Sequence, residues 1–119
     1  MILGVGIDVA EIGRFAGSPD PGGLLEQVLT REELGRVTMR GTDARAAALL
    51  FAVKEALVKA FGCGMSGGWR WREISVSEDF TVALSGRMKD LADERAVSRI
   101  LVSHSSSADH AVALVLLEG

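Results

Sequence analysis

The stretch FAVKEALVKA, residues 51–60, lies in the longest uninterrupted helical pattern of the chain. From Asp43 to Phe61 the sequence is rich in Ala and Leu and contains neither Gly nor Pro. Such a composition favours a helix, and Gly62 and Gly64 directly after it are typical helix-ending residues. The sequence therefore predicts a long central helix over residues 43–61.

Three charged residues, Lys54, Glu55 and Lys59, lie within this apolar stretch. Glu55 and Lys59 are four residues apart, so they share one face of the helix, whereas Lys54 lies about 100° around from Glu55. Most pairs at this spacing form a solvated salt bridge, which is one interpretation. Apolar neighbours on the same turns favour another, in which the Glu55 carboxylate is partly desolvated and needs a cation such as a divalent metal.

Another acidic residue, Asp8, lies near the end of an apolar strand pattern, ILGVGIDV at residues 2–9. Its alternation predicts one face with Ile2, Gly4, Gly6 and Asp8, and an opposite face with Leu3, Val5, Ile7 and Val9. Asp8 could end the strand and cap the turn that follows it. Alternatively, if Asp8 and Glu55 converge, their two carboxylates, with positions left for water and phosphate, would suit Mg²⁺. Lys59 would then face that phosphate.

The overall composition limits the class of protein. A chain of 119 residues fits a single domain, and 48% hydrophobic with 24% charged residues is typical of a globular protein. The net charge is −3 with scattered basic residues, so a nucleic-acid surface is not expected. The lone Cys63 favours a reducing, cytoplasmic setting. Neither a signal peptide nor a membrane span is indicated.

The remaining patterns predict alternating short helices and strands. The expected elements are a loop at 17–23, a helix capped by Thr30 and Glu33, a hairpin of strands 69–77 and 80–84, a helix over 86–96 capped by Ser85, and two closing strands at 99–105 and 110–118. These elements together predict an α+β fold.

Two motifs of the sequence resemble those of a known family. GIDVAEIGRF at 6–15 and FAVKEALVKAFG at 51–62 are similar to the signature motifs of the holo-acyl-carrier-protein synthase family of 4′-phosphopantetheinyl transferases. The order and separation of the motifs and the chain length also fit. LTREEL at 29–34, WREISV at 71–76 and VSHSSSADHAVALVLLE at 102–118 resemble the other family segments, so the resemblance spans nearly the whole chain.

This resemblance implies a fold and an activity. The family moves the 4′-phosphopantetheine arm of coenzyme A onto a serine of an apo acyl carrier protein, requires Mg²⁺, and releases adenosine 3′,5′-bisphosphate. The carrier would serve fatty acid or polyketide synthesis. The implied fold is a small antiparallel sheet packed with a long central helix, and the implied assembly is a homotrimer with its sites between subunits.

The resemblance also implies roles for particular residues. Asp8 and Glu55 become metal ligands, and Lys59 faces the pyrophosphate and serves in catalysis. His104 lies near the nucleotide phosphates, although a histidine in a strand end is often only structural. Arg14 becomes a contact for the carrier protein. The proton acceptor for the serine is either a water polarised by the metal or Lys59.

Several segments depart from the family pattern. Leu50 stands where family members commonly have an arginine, so Arg45 is a candidate to hold a coenzyme A phosphate in its place. Backbone amides at Gly64 could also approach a phosphate. EDFTVALSGR at 78–87 replaces the usual turn before the last helix. The acidic segment after Arg14 suggests a carrier recognised through apolar contacts, with Leu24, Leu25 and Val28 as candidates.

Two alternative functions stay open. The chain could be a non-catalytic member of the same scaffold that binds coenzyme A or a carrier protein. It could also be a metal-dependent hydrolase that uses the same acidic pair on a pyrophosphate. A hydrolase triad of Ser103, His104 and Asp109 is not expected, because adjacent strand residues point to opposite faces.

Overall fold

The computed structural model describes residues 1–17, 22–62 and 66–119. Its elements are β1 (Ile2–Glu11), a 3-10 turn (Ile12–Phe15), α1 (Leu24–Val28), α2 (Arg31–Thr38), α3 (Ala44–Phe61), a second 3-10 turn (Trp71–Glu73), β2 (Ile74–Val76), β3 (Val82–Leu84), α4 (Gly86–Glu94), β4 (Arg99–Ser106) and β5 (His110–Glu118). The predicted α+β class is confirmed, as is the long central helix, α3.

Three strands form an antiparallel sheet in the order β1-β5-β4, so β1 and β4 are its two edges. In the register of this sheet, Asp8 pairs with Ala113 and Ala113 pairs with His104. Directly paired residues of antiparallel strands point to the same face. Asp8 and His104 therefore lie in one row of the sheet, at its opposite edges. The predicted hairpin of β2 and β3 forms a separate two-stranded sheet.

Helix α3 packs very closely on β1 because the strand carries glycines on that face. A Cβ atom added at Gly4 would lie 2.1 Å from the Ala60 carbonyl oxygen, and one at Gly6 would lie 1.8 Å from that of Ala56. No side chain fits in these gaps. The predicted alternation of β1 is thus confirmed from Gly4 to Val9, and the room left by the glycines is filled by the helix backbone. For Ile2 the prediction is wrong, because the register shifts between Ile2 and Gly4 and pairs Ile2 with Glu118.

The opposite face of β1 is apolar and exposed. Val5, Ile7 and Val9 keep 54–57% of their surface accessible, and each pairs with a half-buried apolar residue of β5. We call this surface the outer sheet face; its members are Val5, Ile7, Val9, Val112, Leu114 and Leu116. A continuous apolar surface of this kind is typical of a contact with another protein.

A buried ion pair joins α2 to α3. Lys54 Nζ donates to Glu33 Oε1 at 2.6 Å and to the Val28 carbonyl at 2.8 Å, while Glu33 Oε2 accepts from the Val76 amide at 2.7 Å. Glu33 also completes the predicted capping box with Thr30. The two side chains therefore fix α3 relative to α2 and β2.

Three details of the predicted elements are wrong. The second strand of the hairpin was expected to begin at residue 80, but residues 80 and 81 belong to the turn and β3 begins at Val82. Residues 69–73 were expected to start a strand, but Trp71–Glu73 form a 3-10 turn and the strand begins at Ile74. The turn forms because Glu73 accepts hydrogen bonds from the Arg70 and Met88 amides, which folds the backbone back. Ser85 occupies the N-cap position of α4, but its side chain makes no capping hydrogen bond.

The segment after Arg14 also differs from its prediction. A short helix, α1, covers Leu24–Val28, and its Leu25 and Val28 side chains are buried in the core. These two residues are therefore not available to contact a carrier protein. Most of the predicted loop at 17–23 lies outside the described residues, as do Cys63 and Gly64. Within the described ranges, the helices are too short or too polar to cross a membrane.

Candidate active site

Asp8 and Lys59, from opposite ends of the first half of the chain, meet at the outer edge of β1. Lys59 Nζ lies 2.9 Å from Asp8 Oδ1 and 3.1 Å from the Ile7 carbonyl oxygen. The hydrogen bond to Asp8 raises the pKa of Lys59 above its ordinary value. The close approach of α3 to the glycines of β1 brings this lysine to the strand.

Glu55 lies one turn before Lys59 on the same side of α3 and is half-buried. Its burial, followed by the negative charge of Asp8, raises the pKa of Glu55, while the positive charges of Lys59 and Arg14 oppose that shift. The Glu55 side chain makes neither an ion pair nor a hydrogen bond with another residue in the described part of the chain, because the nearby Lys59 pairs with Asp8. The Glu55 carboxylate is thus partly removed from water and lies near a second carboxylate, that of Asp8.

These contacts decide two of the open interpretations. The interpretation that Glu55 and Lys59 form a simple salt bridge is wrong, because Lys59 forms its ion pair with Asp8 on β1. A helix-capping role for Asp8 is also wrong, because β1 continues past it to Glu11. Asp8 is an internal strand residue whose side chain is turned toward α3.

The residues of this cluster fit a magnesium ion. Asp8 and Glu55 repel each other electrostatically, and a divalent cation between them would remove that repulsion. In the described ranges, no group of three or more histidine, cysteine or carboxylate side chains forms a closed metal site. Mg²⁺ does not need one, since it is commonly held by one or two carboxylates with water and substrate phosphate completing its shell.

Arg14 lies at the border of this cluster, in the 3-10 turn that follows β1. Its side chain is exposed, and its guanidinium carbon lies 5.2 Å from the ring centroid of Phe51 and 5.8 Å from that of Phe15. These two rings pack against each other in the core. The two phenyl rings thus pack against the Arg14 guanidinium, which stays accessible to a partner.

A second group of residues gathers at the opposite edge of the sheet. Arg45 Nη1 donates to Ser106 Oγ at 2.9 Å and to the Ser107 carbonyl at 2.6 Å. His104, on the same face of β4 as Ser106, stacks on the ring of Phe80 with centroids 3.8 Å apart. We call Arg45, Phe80, His104 and Ser106 the β4 cluster.

The β4 cluster contains Arg45 and His104, two of the candidates for contacts with coenzyme A. Leu50, which replaces the family's usual arginine, is only 4% exposed and belongs to the core. The Arg45 guanidinium lies beside the end of β4, where it is held by Ser106 and Ser107. Sequence reasoning missed Phe80, because its contact with His104 depends on the conformation of a turn that no pattern specifies.

The two groups of candidate residues are separated within one chain. Asp8 lies on edge strand β1 and His104 on edge strand β4, with Ala113 of β5 between them. Neighbouring strands are about 5 Å apart, so the two Cα atoms are separated by about 10 Å. Ala113 is fully buried on the side of the sheet that α3 covers. Each group therefore faces its own edge of the sheet.

Comparison with known proteins places this geometry in a family. A model of the 4′-phosphopantetheinyl transferase superfamily matches residues 4–115. The holo-[acyl-carrier-protein] synthase of Geobacter sulfurreducens is 36% identical, with 99% of this chain and 98% of the relative covered.

Solved structures agree with the sequence comparison. The holo-[acyl-carrier-protein] synthase of Neisseria meningitidis aligns over 100% of both chains with a TM-score of 0.81 and 26% identity. An ACPS complex with CoA from Chronobacterium ammoniagenes aligns over 97% of this chain and 96% of that one, with a TM-score of 0.76 and 28% identity.

The class defined by the fold and these matches is a small α+β transferase. The chain belongs to the 4′-phosphopantetheinyl transferase superfamily. The resemblance of the two motifs and the enzyme class that it implied are thus confirmed.

Proposed function

We propose that this protein transfers the 4′-phosphopantetheine group of coenzyme A to a serine of an apo acyl carrier protein, with Mg²⁺, and releases adenosine 3′,5′-bisphosphate. The observation that carries the proposal is the meeting of Asp8, Glu55 and Lys59 at one edge of the sheet. The relatives named as holo-[acyl-carrier-protein] synthases and the neighbour solved with CoA support the choice of substrates.

In this proposal the serine oxygen attacks the phosphorus that carries the pantetheine arm, and the bond from that phosphorus to the bridging oxygen breaks. Negative charge develops on the departing bisphosphate. Asp8 and Glu55 would hold Mg²⁺, which when bound neutralises charge on the phosphates. The Lys59 ammonium binds phosphate oxygens and stabilises the charge of the leaving group.

The electrostatics of the cluster bear on the proton that the serine must lose. Asp8 raises the pKa of Lys59, so this lysine is charged at neutral pH and is a poor proton acceptor. Of the two acceptors that the sequence leaves open, the raised pKa thus disfavours Lys59. Its role in the proposal is therefore electrostatic.

The complete site requires a second copy of the chain, and we propose a homotrimer. The coenzyme A contacts of the β4 cluster face one edge of the sheet while Asp8 and Glu55 face the other. A head-to-tail arrangement brings the β4 cluster of one copy to the acidic pair of the next, and three copies can close such a ring. The outer sheet face supplies apolar surface for that contact.

Mass spectrometry of an apo carrier protein tests the transfer. Incubation with the purified protein, coenzyme A and Mg²⁺ should add the phosphopantetheine mass to the carrier, and Glu55→Gln should remove most of this activity. Failure with every carrier of the source organism would contradict the proposal. Bisphosphate released without a carrier would indicate the hydrolase, and binding of coenzyme A without turnover would indicate the non-catalytic member.

Two experiments test the shared site. Ile7→Glu, in the outer sheet face, should lower the mass measured by light scattering from that of a trimer to that of a monomer, with loss of activity. In addition, Glu55→Gln and His104→Ala subunits, each impaired alone, should regain activity when co-expressed, because some interfaces then carry both native residues. An active monomer would contradict the proposal.

The single cysteine is consistent with a cytoplasmic reaction.

A further inference from the structure

The turn between β2 and β3 holds Phe80 in an unusual conformation. Its φ angle is +62°, in the left-handed region that bulky side chains rarely adopt. The turn is fixed on both sides: the Phe80 amide donates to the Ser77 carbonyl at 3.0 Å, and the Thr81 amide donates to Ser77 Oγ at 3.0 Å and to Asp79 Oδ1 at 3.2 Å. Surrounding hydrogen bonds therefore maintain the strain.

This conformation directs the Phe80 ring onto His104. The ring centroids are 3.8 Å apart with an interplanar angle of 26°, a stacked arrangement. Phe80 is half-buried and packs against the core, whereas His104 is exposed on an edge strand. The phenyl ring thus anchors a side chain that the strand alone would leave free to rotate.

We propose that Phe80 is a positioning residue that holds the His104 imidazole in the orientation in which it contacts a phosphate of coenzyme A. The inference rests on the proposed function, because it assigns His104 to the nucleotide. Strained residues persist where their surroundings enforce them, and they are frequent at ligand sites. Phe80 touches His104 and acts on the substrate through it.

Phe80→Asn tests the role without damaging the turn, because Asn tolerates the left-handed region. The KM for coenzyme A should rise about threefold to tenfold, the size of a contact between aromatic rings, while kcat changes less than twofold. Phe80→Tyr keeps the ring and should retain the native KM. Ala96→Asn is the matched control, because Ala96 also has a left-handed φ, of 57°, but lies outside the β4 cluster.

A double-variant cycle separates positioning from a general structural effect. Once His104→Ala has removed the imidazole, adding Phe80→Asn should raise the KM no further, because the first residue acts through the second. Additive effects of the two changes would overturn the inference. A native KM in Phe80→Asn would overturn it as well.

Nuclear magnetic resonance tests the contact without turnover. Ring currents should displace the His104 ring proton signals in the native protein, and Phe80→Asn should remove this displacement. Calorimetry with adenosine 3′,5′-bisphosphate should show the same threefold to tenfold weakening of binding as the KM. If the native protein binds the bisphosphate but transfers nothing, the proposed function fails while the inference stands. Unchanged ring signals in Phe80→Asn overturn the inference alone.

Discussion

Two lysines five residues apart on α3 show how one helix can carry two different ion pairs. Lys54 is fully buried and pairs with Glu33 at 2.6 Å. Lys59 keeps 53% of its side chain exposed and pairs with Asp8 at 2.9 Å. Burial lowers the pKa of Lys54, whereas the hydrogen bond to Asp8 raises the pKa of Lys59.

The contrast indicates which lysine serves the fold and which is available for the proposed reaction. The Lys54 ammonium is enclosed by a carboxylate and a backbone carbonyl, so it has no access to a substrate. The Lys59 ammonium is accessible and remains protonated, as a group that binds phosphate must. Helical spacing turns the first lysine into the core and the second toward the strand edge.

The largest effect is expected on the free energy of unfolding, from replacing Lys54, the buried lysine. Lys54→Met keeps the length of the side chain but leaves the Glu33 carboxylate buried without its cation. We expect the free energy of unfolding to fall by about 3–5 kcal/mol, the usual effect of breaking a buried pair. Urea denaturation followed by circular dichroism measures this change.

Lys89→Met is the matched control for that experiment. Lys89 and Asp93 form an exposed pair on α4, and such helix pairs contribute only about 0.3–0.5 kcal/mol. A loss below about 1 kcal/mol in Lys54→Met, similar to that of the control, would show that the buried pair does not hold α3 in place.

Replacing Lys59, the exposed lysine, should instead lower activity much more than stability. Lys59→Met should lower kcat by about 10²–10³-fold, the typical effect of removing one group that stabilises charge in a transition state. Its effect on the free energy of unfolding should be smaller than that of Lys54→Met, because Lys59 keeps 53% of its side chain exposed to solvent. Steady-state kinetics and urea denaturation of the same preparation measure both quantities. A variant that lost stability in proportion to its activity would remove the distinction between the two lysines.

Features that depend on local spacing could be predicted from the sequence, whereas contacts between distant segments could not. The capping box, the alternation of β1 and the extent of α3 were predicted because each depends on local spacing. The convergence of Asp8 and Glu55 was expected from the family resemblance, since no local pattern relates a strand to a helix some fifty residues later. The direct contact between Asp8 and Lys59 was not predicted. The burial of Lys54 was not foreseen, because it depends on Glu33 from another helix.

The misplaced start of the second strand has a similar cause. The alternation of residues 69–77 favours a strand, but Glu73 accepts two amide hydrogen bonds, one of them from α4, and turns the chain. Tertiary contacts of this kind override local propensity. Phe80 was missed for the same reason, since its turn is fixed by side-chain hydrogen bonds.

The smallest expected effect concerns Glu55, which lies between the two lysines in sequence. Burial and the charge of Asp8 raise its pKa above the ordinary value of 4.5, so the native state binds this proton more tightly than the unfolded state does. Its contribution to stability is therefore present below about pH 4.5 and is lost as the pH rises through the native pKa. Glu55→Gln does not titrate, so its stability relative to the native protein should increase between pH 4 and pH 7.

Urea denaturation at several pH values measures this difference, and millimolar Mg²⁺ provides an internal check. A cation held by Asp8 and Glu55 stabilises only the native state, so Mg²⁺ should raise the Tm of the native protein at pH 7 and leave that of Glu55→Gln unchanged. A relative stability that is independent of pH would mean that the Glu55 carboxylate is well solvated. The desolvated acidic pair that distinguishes the Lys59 end of α3 from the Lys54 end would then not exist.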